Sequence, residues 1–194
     1  MKTFRIKIKG KTPLMHHRMT EEAIMGLLQP KSKKKTVQDE SRTPRDIAAQ
    51  HAYANEDGTY YIPTEYLIGA FKTVASDYKQ KDSQRKSYKS IVGGIFRPVE
   101  AKASLKDHSG KPIKTFEVDI KKATNHQKGA VAICRPRFDE WSVETEVQID
   151  DTLLDEHTAR QILTDAGTRS GIGSFRVARG GFYGQFSVEE FKQV

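Results

Sequence analysis

The sequence predicts an α+β domain, and three observations carry that prediction. Phe4, Ile6 and Ile8 alternate with Arg5, Lys7 and Lys9, and Trp141, Val143, Thr145, Val147 and Ile149 repeat the period-2 pattern with Glu144 and Glu146 facing out. Both segments read as half-buried strands. Leu67, Ala70, Phe71 and Val74 fall at helical spacing and make one apolar stripe. Strand and helix segments follow one another without a regular βαβ alternation, which selects α+β over a parallel doubly wound sheet.

The elements follow in order. The first strand has one apolar face and one wholly basic face. Thr20 caps a short helix with Glu21 and Glu22 in its first turn, and Ile24, Leu27 and Leu28 are expected to point inward. Pro30 ends it. Residues 31–43, KSKKKTVQDESRT, cannot bury anything useful and are expected to be a mobile basic loop. A second helix opens at Pro44, with proline in its first turn, and runs to about residue 54. Asp57-Gly58 is a turn and residues 60–62 a short strand. A third helix spans about 64–78, and residues 79–89 form a second basic loop. The 116–120 and 131–134 segments read as strands of a hairpin with a basic tip, KKATNHQKG. A helix over 155–166 leads into a glycine-rich segment, 167–184, containing a short strand at 175–177. Residues 186–191 supply a last strand.

A chain of 194 residues fits one domain. Its formal net charge of +8 favours a polyanionic partner. The charge is uneven. Residues 72–102 carry eight Lys/Arg against three Asp/Glu, residues 111–137 seven against two, and residues 138–165 one Arg against nine acids. No apolar run approaches the ~20 residues that span a bilayer. The single cysteine, Cys134, excludes an internal disulfide and a cysteine-rich zinc site. The expectation is a reducing, cytoplasmic setting with no membrane and no cofactor.

Two segments carry candidate chemistry. In YYIPTEYLIGAFK a strand ends, proline starts a helix, and Gly69 lies one turn further on, where helix–sheet packing is the plainer explanation. In GTRSGIGSFRVARGG closely spaced glycines can turn backbone N–H groups outward as an anion cradle, with Arg169, Arg176 and Arg179 as phosphate donors. It is neither a Walker loop nor a dinucleotide fingerprint.

Together these segments resemble the RAMP superfamily, particularly the Cas7-like subunits of CRISPR effectors. YYIPTEYLIGAFK is similar to the superfamily's "IPGSSLKGALR" segment, with Glu65 and Tyr66 where two serines usually stand. GTRSGIGSFRVARGGFYGQFSV resembles its C-terminal glycine-rich loop, and RIKIKGKTPLMHH its first strand and turn. Viruses and prophages carry stand-alone proteins of the same look. The resemblance implies a single domain over 1–194. It implies a ferredoxin-like, RRM-type core, a β-hairpin thumb inserted at about 111–137, and RNA or single-stranded DNA held along a basic groove. It further implies a homo-oligomer stacked in a row or a subunit of a multiprotein effector.

The leading expectation is sequence-tolerant binding of single-stranded nucleic acid, mainly through phosphates. The residues expected to contact it are His16, His17, Arg18, Lys33, Lys34, Lys35, Lys72, Arg85, Lys86, Lys121, Lys122, Lys128, Arg169, Ser170, Gly171, Gly173, Arg176 and Arg179, with Tyr78 and Tyr88 as stacking candidates. One alternative is an endoribonuclease using His16 or His17 as general base, or a metal-dependent Asp such as Asp39 or Asp46. Another is a structural assembly subunit whose basic surface meets an acidic protein.

Overall fold

A computed structural model describes residues 1–28, 42–81, 83–124 and 129–194. Most of the expected loop at 31–43, including Lys33, Lys34 and Lys35, lies outside these residues, as does Lys128.

The core is an antiparallel sheet built around β1 (Lys2–Gly10). β1 pairs with β8 (Ser142–Ile149) on one side and β9 (Phe186–Gln193) on the other. β8 continues outward to β4 (Phe96–Pro98) at one end and to β5 (Lys102–Lys106) at the other, and β5 pairs with β3 (Tyr61–Pro63). Register places Phe4, Ile6 and Ile8 opposite Val147, Thr145 and Val143, so the apolar alternation of both strands falls on one face. That face is covered by α3 (Glu65–Val74), which touches β4, and α5 (Glu156–Asp165), which touches β9 and α3. Leu67, Ala70, Phe71 and Val74 are buried from α3, and Ala159, Ile162 and Leu163 from α5. The Phe71 ring stacks on Phe96 with centroids 4.2 Å apart. Reading β1, α3, β4/β5, β8, α5, β9 in chain order against the spatial order β9-β1-β8-β4/β5 gives the ferredoxin-like, RRM-type plan expected.

Between β5 and β8 the chain makes a separate hairpin, β6 (Glu117–Thr124) and β7 (Ala130–Phe138). Its root is tied to the core by β2 (Leu14–Met15), which pairs with Phe138 and Arg137, and by α2 (Pro44–Gln50), which packs on both strands. α2 begins with a reciprocal cap in which Asp46 accepts from the Thr43 N–H at 2.9 Å. Asp46 thus serves as the reciprocal cap of α2 through its Oδ2. Asp39 lies outside the described residues.

Several expectations are corrected. α1 (Glu21–Leu28) forms and is capped by Thr20, but it buries none of its residues; Leu27 and Leu28 are 75% and 74% exposed. Residues 175–177 are not a full strand: a turn at 174–175 and a single parallel bridge from Arg176 to Tyr183 lead into a 3₁₀ turn, Val177–Arg179. A Cβ at Gly69 would meet only open space, so no close packing explains that glycine. The basic face of β1 is not left bare. Arg5 lies opposite Glu146 and Lys7 opposite Glu144 and Glu190, with Arg5 3.8 Å from Glu146. Two of the nine acids of the 138–165 stretch, Glu144 and Glu146, are set within the sheet against these cations.

Candidate nucleic-acid interface

The site is built where the chain leaves β1, crosses under the hairpin and meets the glycine-rich segment. His16 is completely buried between Tyr53 and Phe138, with ring centroids 5.3 and 4.7 Å away. The Tyr53 N–H donates to its Nδ1 at 3.2 Å, which places the proton on Nε2, and Nε2 finds no partner among the described residues. Burial pushes the imidazole down to about 3, so it is neutral. His16 is a core residue and cannot touch a strand in solution, contrary to the expectation.

His17 is exposed beside it and stacks on His51 at 4.7 Å. The Arg135 Nε donates to His17 Nδ1 at 3.3 Å, while His51 Nδ1 donates to the Arg18 carbonyl at 2.8 Å. Although the residue as a whole is exposed, its ring is partly desolvated under His51 and Arg135, and this, then the Arg135 and His51 charges, holds His17 down to about 4. Arg18 itself lines an open cleft of mixed charge with Glu21, Glu22 and Arg42.

Arg135 lies on β7 opposite Asp119 of β6, and both are buried. Its guanidinium covers the ring of Phe175 at 4.2 Å. Alternation along β6 puts Lys121 on the same face as Asp119 and Lys122 on the other. Lys121 Nζ donates to the Tyr183 hydroxyl at 2.9 Å and is 3.4 Å from Asp119, and the Tyr183 bond raises its pKa first of all. Tyr183 in turn stacks on Phe182, which is 58% exposed.

The glycines explain how these groups meet. After α5 a π-turn, Ala166–Ser170, carries the chain to Gly171, Gly173 and Gly184, all at positive φ. The Ile172 N–H donates to Gly184, the Gly184 N–H to Pro13 and the Ser174 N–H to Met15. A Cβ at Gly173 would come within 2.6 Å of the Met15 carbonyl, and one at Gly184 would overlap the Ile172 carbonyl. The glycines therefore let three backbone segments touch. The Gly171 N–H donates to the Ala166 carbonyl, as the Gly184 N–H does to that of Pro13, and Ser170, Gly171 and Gly173 are buried. The cradle expectation is corrected: these three residues organise the site and do not face an anion.

The remaining expected residues separate into two places. Arg176, whose Nη1 donates to the Gly173 carbonyl at 3.1 Å, bridges to Tyr183 and so stays near Lys121, while exposed Arg179 lies in the 3₁₀ turn that packs against the π-turn. Lys72, Arg85, Lys86 and Arg169 belong to the helix layer. Arg169 is paired there with Asp77 and, at 3.6 Å, with Asp165. Tyr78 donates to Asp165 at 2.9 Å, and Tyr88 is buried, so it is no stacking platform. The sequence reading missed His51, Arg135, Phe175, Phe182 and Tyr183. The one available signal was the aromatic pair Phe182-Tyr183 set between glycines in GGFYG.

The fold and this surface define a ferredoxin-like, RRM-type protein with an inserted hairpin and a cationic, aromatic face beside its glycine-rich segment. No family model matches the chain, and no curated protein matches it in sequence. Solved structures do. A chain in the cryo-EM structure of the Type III-B Cmr-beta bound to cognate target RNA superposes with a TM-score of 0.52 at 8% identity, covering 100% of this chain and 61% of that one. The protein thus spans about three fifths of the length of that neighbour. The crystal structure of Cmr6 from Pyrococcus furiosus gives a TM-score of 0.42 at 12% identity, covering 97% and 98% of the two chains. At these identities the likeness is one of fold.

Proposed function

We propose that this protein binds single-stranded RNA or DNA as a subunit of a larger nucleoprotein assembly. The strand lies along the surface between the β6–β7 hairpin and the glycine-rich segment. The observation that carries this reading is the gathering of Lys121, Arg135 and Arg176 with Phe175, Phe182 and Tyr183, a combination of phosphate donors and ring faces suited to an unpaired strand. The fold neighbour whose structure holds a target RNA supports the same reading. Among the described residues no helix is long and apolar enough to cross a membrane.

Fluorescence anisotropy of a labelled 30-mer tests it. Affinity falls steeply with salt, with a slope of about −0.7 per phosphate contact. Lys121→Gln and Arg179→Gln each weaken binding and flatten the slope by about one contact. Failure to bind either RNA or single-stranded DNA at low salt overturns the proposal. Comparing a 6-mer with a 40-mer reads the assembly part, since stacked subunits favour the longer strand cooperatively.

A second reading, cleavage at a 2′-hydroxyl, is favoured by one observation: His51 supplies a second imidazole stacked on a neutral His17. The same labelled RNA, run on a denaturing gel after incubation, decides it. Cleavage abolished by His17→Ala and by His51→Ala supports this reading, and an intact strand removes it.

A further inference from the structure

Phe175 has φ +51, the one non-glycine residue at positive φ among the described residues. An aromatic side chain in this region costs about 1–3 kcal/mol and persists only where its surroundings over-determine it. Those surroundings are visible. The Tyr183 N–H donates to the Phe175 carbonyl at 3.3 Å, and Gly181 lies so close to that carbonyl that any Cβ there would overlap it. Glycine at position 175 itself would relieve the strain. The chain instead places a phenylalanine there and leaves it 36% exposed.

The ring is not an isolated surface apolar group. One of its faces is covered by the Arg135 guanidinium at 4.2 Å. That guanidinium is fixed by its bond to His17 and buried at the hairpin root, and its Nη1 has no partner among the described residues. A planar cation packed on a ring that is still 36% exposed makes a seat for a flat group on the solvent side of that ring. Arg176 and Arg179 follow within four residues, so the seat lies next to phosphate donors.

We propose that Phe175 is a nucleobase platform: one base of an unpaired strand stacks on the ring face opposite Arg135, with the backbone phosphates held by the neighbouring cations. This rests on the nucleic-acid reading above and deepens it. The surface grips a base as well as a charge, and duplexes, whose bases are already stacked, are disfavoured.

The test uses three variants of the full chain. Phe175→Leu keeps apolar bulk and removes the flat ring. Phe175→Gly removes the ring and the strain, and a melting curve confirms that it folds. Phe175→Trp keeps the platform and reports on it, because the single native tryptophan, Trp141, is fully buried and contributes a constant background. The probes are a 12-mer RNA, a 12-mer DNA and inorganic polyphosphate, which has the charge without the bases. The expected result is quenching of Phe175→Trp by either oligonucleotide and not by polyphosphate. A loss of about tenfold in oligonucleotide affinity is expected for Phe175→Leu and Phe175→Gly, with polyphosphate binding and the salt slope unchanged. Equal losses for oligonucleotide and polyphosphate would mean that the ring only props Arg135, and unchanged affinity with no quenching would mean that no base sits there; either overturns the platform while leaving strand binding in place. A wild-type protein that binds polyphosphate but neither oligonucleotide overturns both readings.

Discussion

His16 makes the protein's stability depend on pH in a window that its acids leave alone. The ring is fully buried and neutral, and its pKa falls from the ordinary 6.5 to about 3. Unfolding exposes it and restores the ordinary value, so the unfolded chain takes up a proton that the folded chain refuses. The stability that this group contributes is complete above 6.5 and is lost as the pH falls below it, levelling off near 3. Between about pH 8 and pH 5 the loss is roughly 2 kcal/mol, or about 4–8 °C in Tm for a domain of this size. Aspartates such as Asp57, Asp107 and Asp150 are held below 3.8 by hydrogen bonds and do not titrate in that window. His17 acts in the same direction and stays present in wild type and variant alike. His16→Gln isolates the effect: its amide oxygen can still accept the Tyr53 N–H and does not titrate. Thermal melts of both proteins at the two pH values should show a drop smaller by about 4–8 °C in the variant. Equal drops would mean that the imidazole is not sealed from water and that the burial argument fails.

Two further outcomes follow from the backbone and the sheet. Gly69→Ala, in open space on α3, should raise stability by about 1 kcal/mol, whereas Gly184→Ala, at φ +69 against the Ile172 carbonyl, should lower it by roughly 3 kcal/mol or more; the paired melting temperatures check both. Arg5→Ser with Lys7→Ser, on the neutralised face of β1, should change oligonucleotide affinity by less than about twofold, and a tenfold loss would place the strand on that face.

Much of the core was legible because its signals are local. The alternation of β1 and β8 and the stripe of α3 lead to an α+β domain without any long-range information, and the ferredoxin-like plan comes from the resemblance of three segments to the RAMP superfamily. What failed was everything decided by a neighbour distant in sequence. The face of β1 that reads as wholly basic meets Glu144, Glu146 and Glu190 across the register, which only the late strands supply. The glycine spacing suggested outward N–H groups, but the carbonyls of Ala166 and Pro13 accept those of Gly171 and Gly184, and Met15 accepts that of Ser174. His16 and His17 looked equivalent, yet the pairing of β2 with β7 buries one and exposes the other. α1 carries the apolar residues of a core helix and has nothing to pack against among the described residues.

The central position of β1 also bears on how the chain folds. Its hydrogen-bonding partners, β8 and β9, both lie late in the sequence, so a strand made early waits with both edges bare. A nine-residue segment alternating Phe and Ile with polar positions would be a ready template for pairing with another copy. Arg5, Lys7 and Lys9 put a row of like charges along that template, which repels a second strand of the same kind until the acidic residues of β8 and β9 arrive. Charges that contribute little to the finished sheet thus act as gatekeepers on the way to it, and the closure that ends the wait joins the two ends of the described chain, which places folding among the slower, long-range topologies.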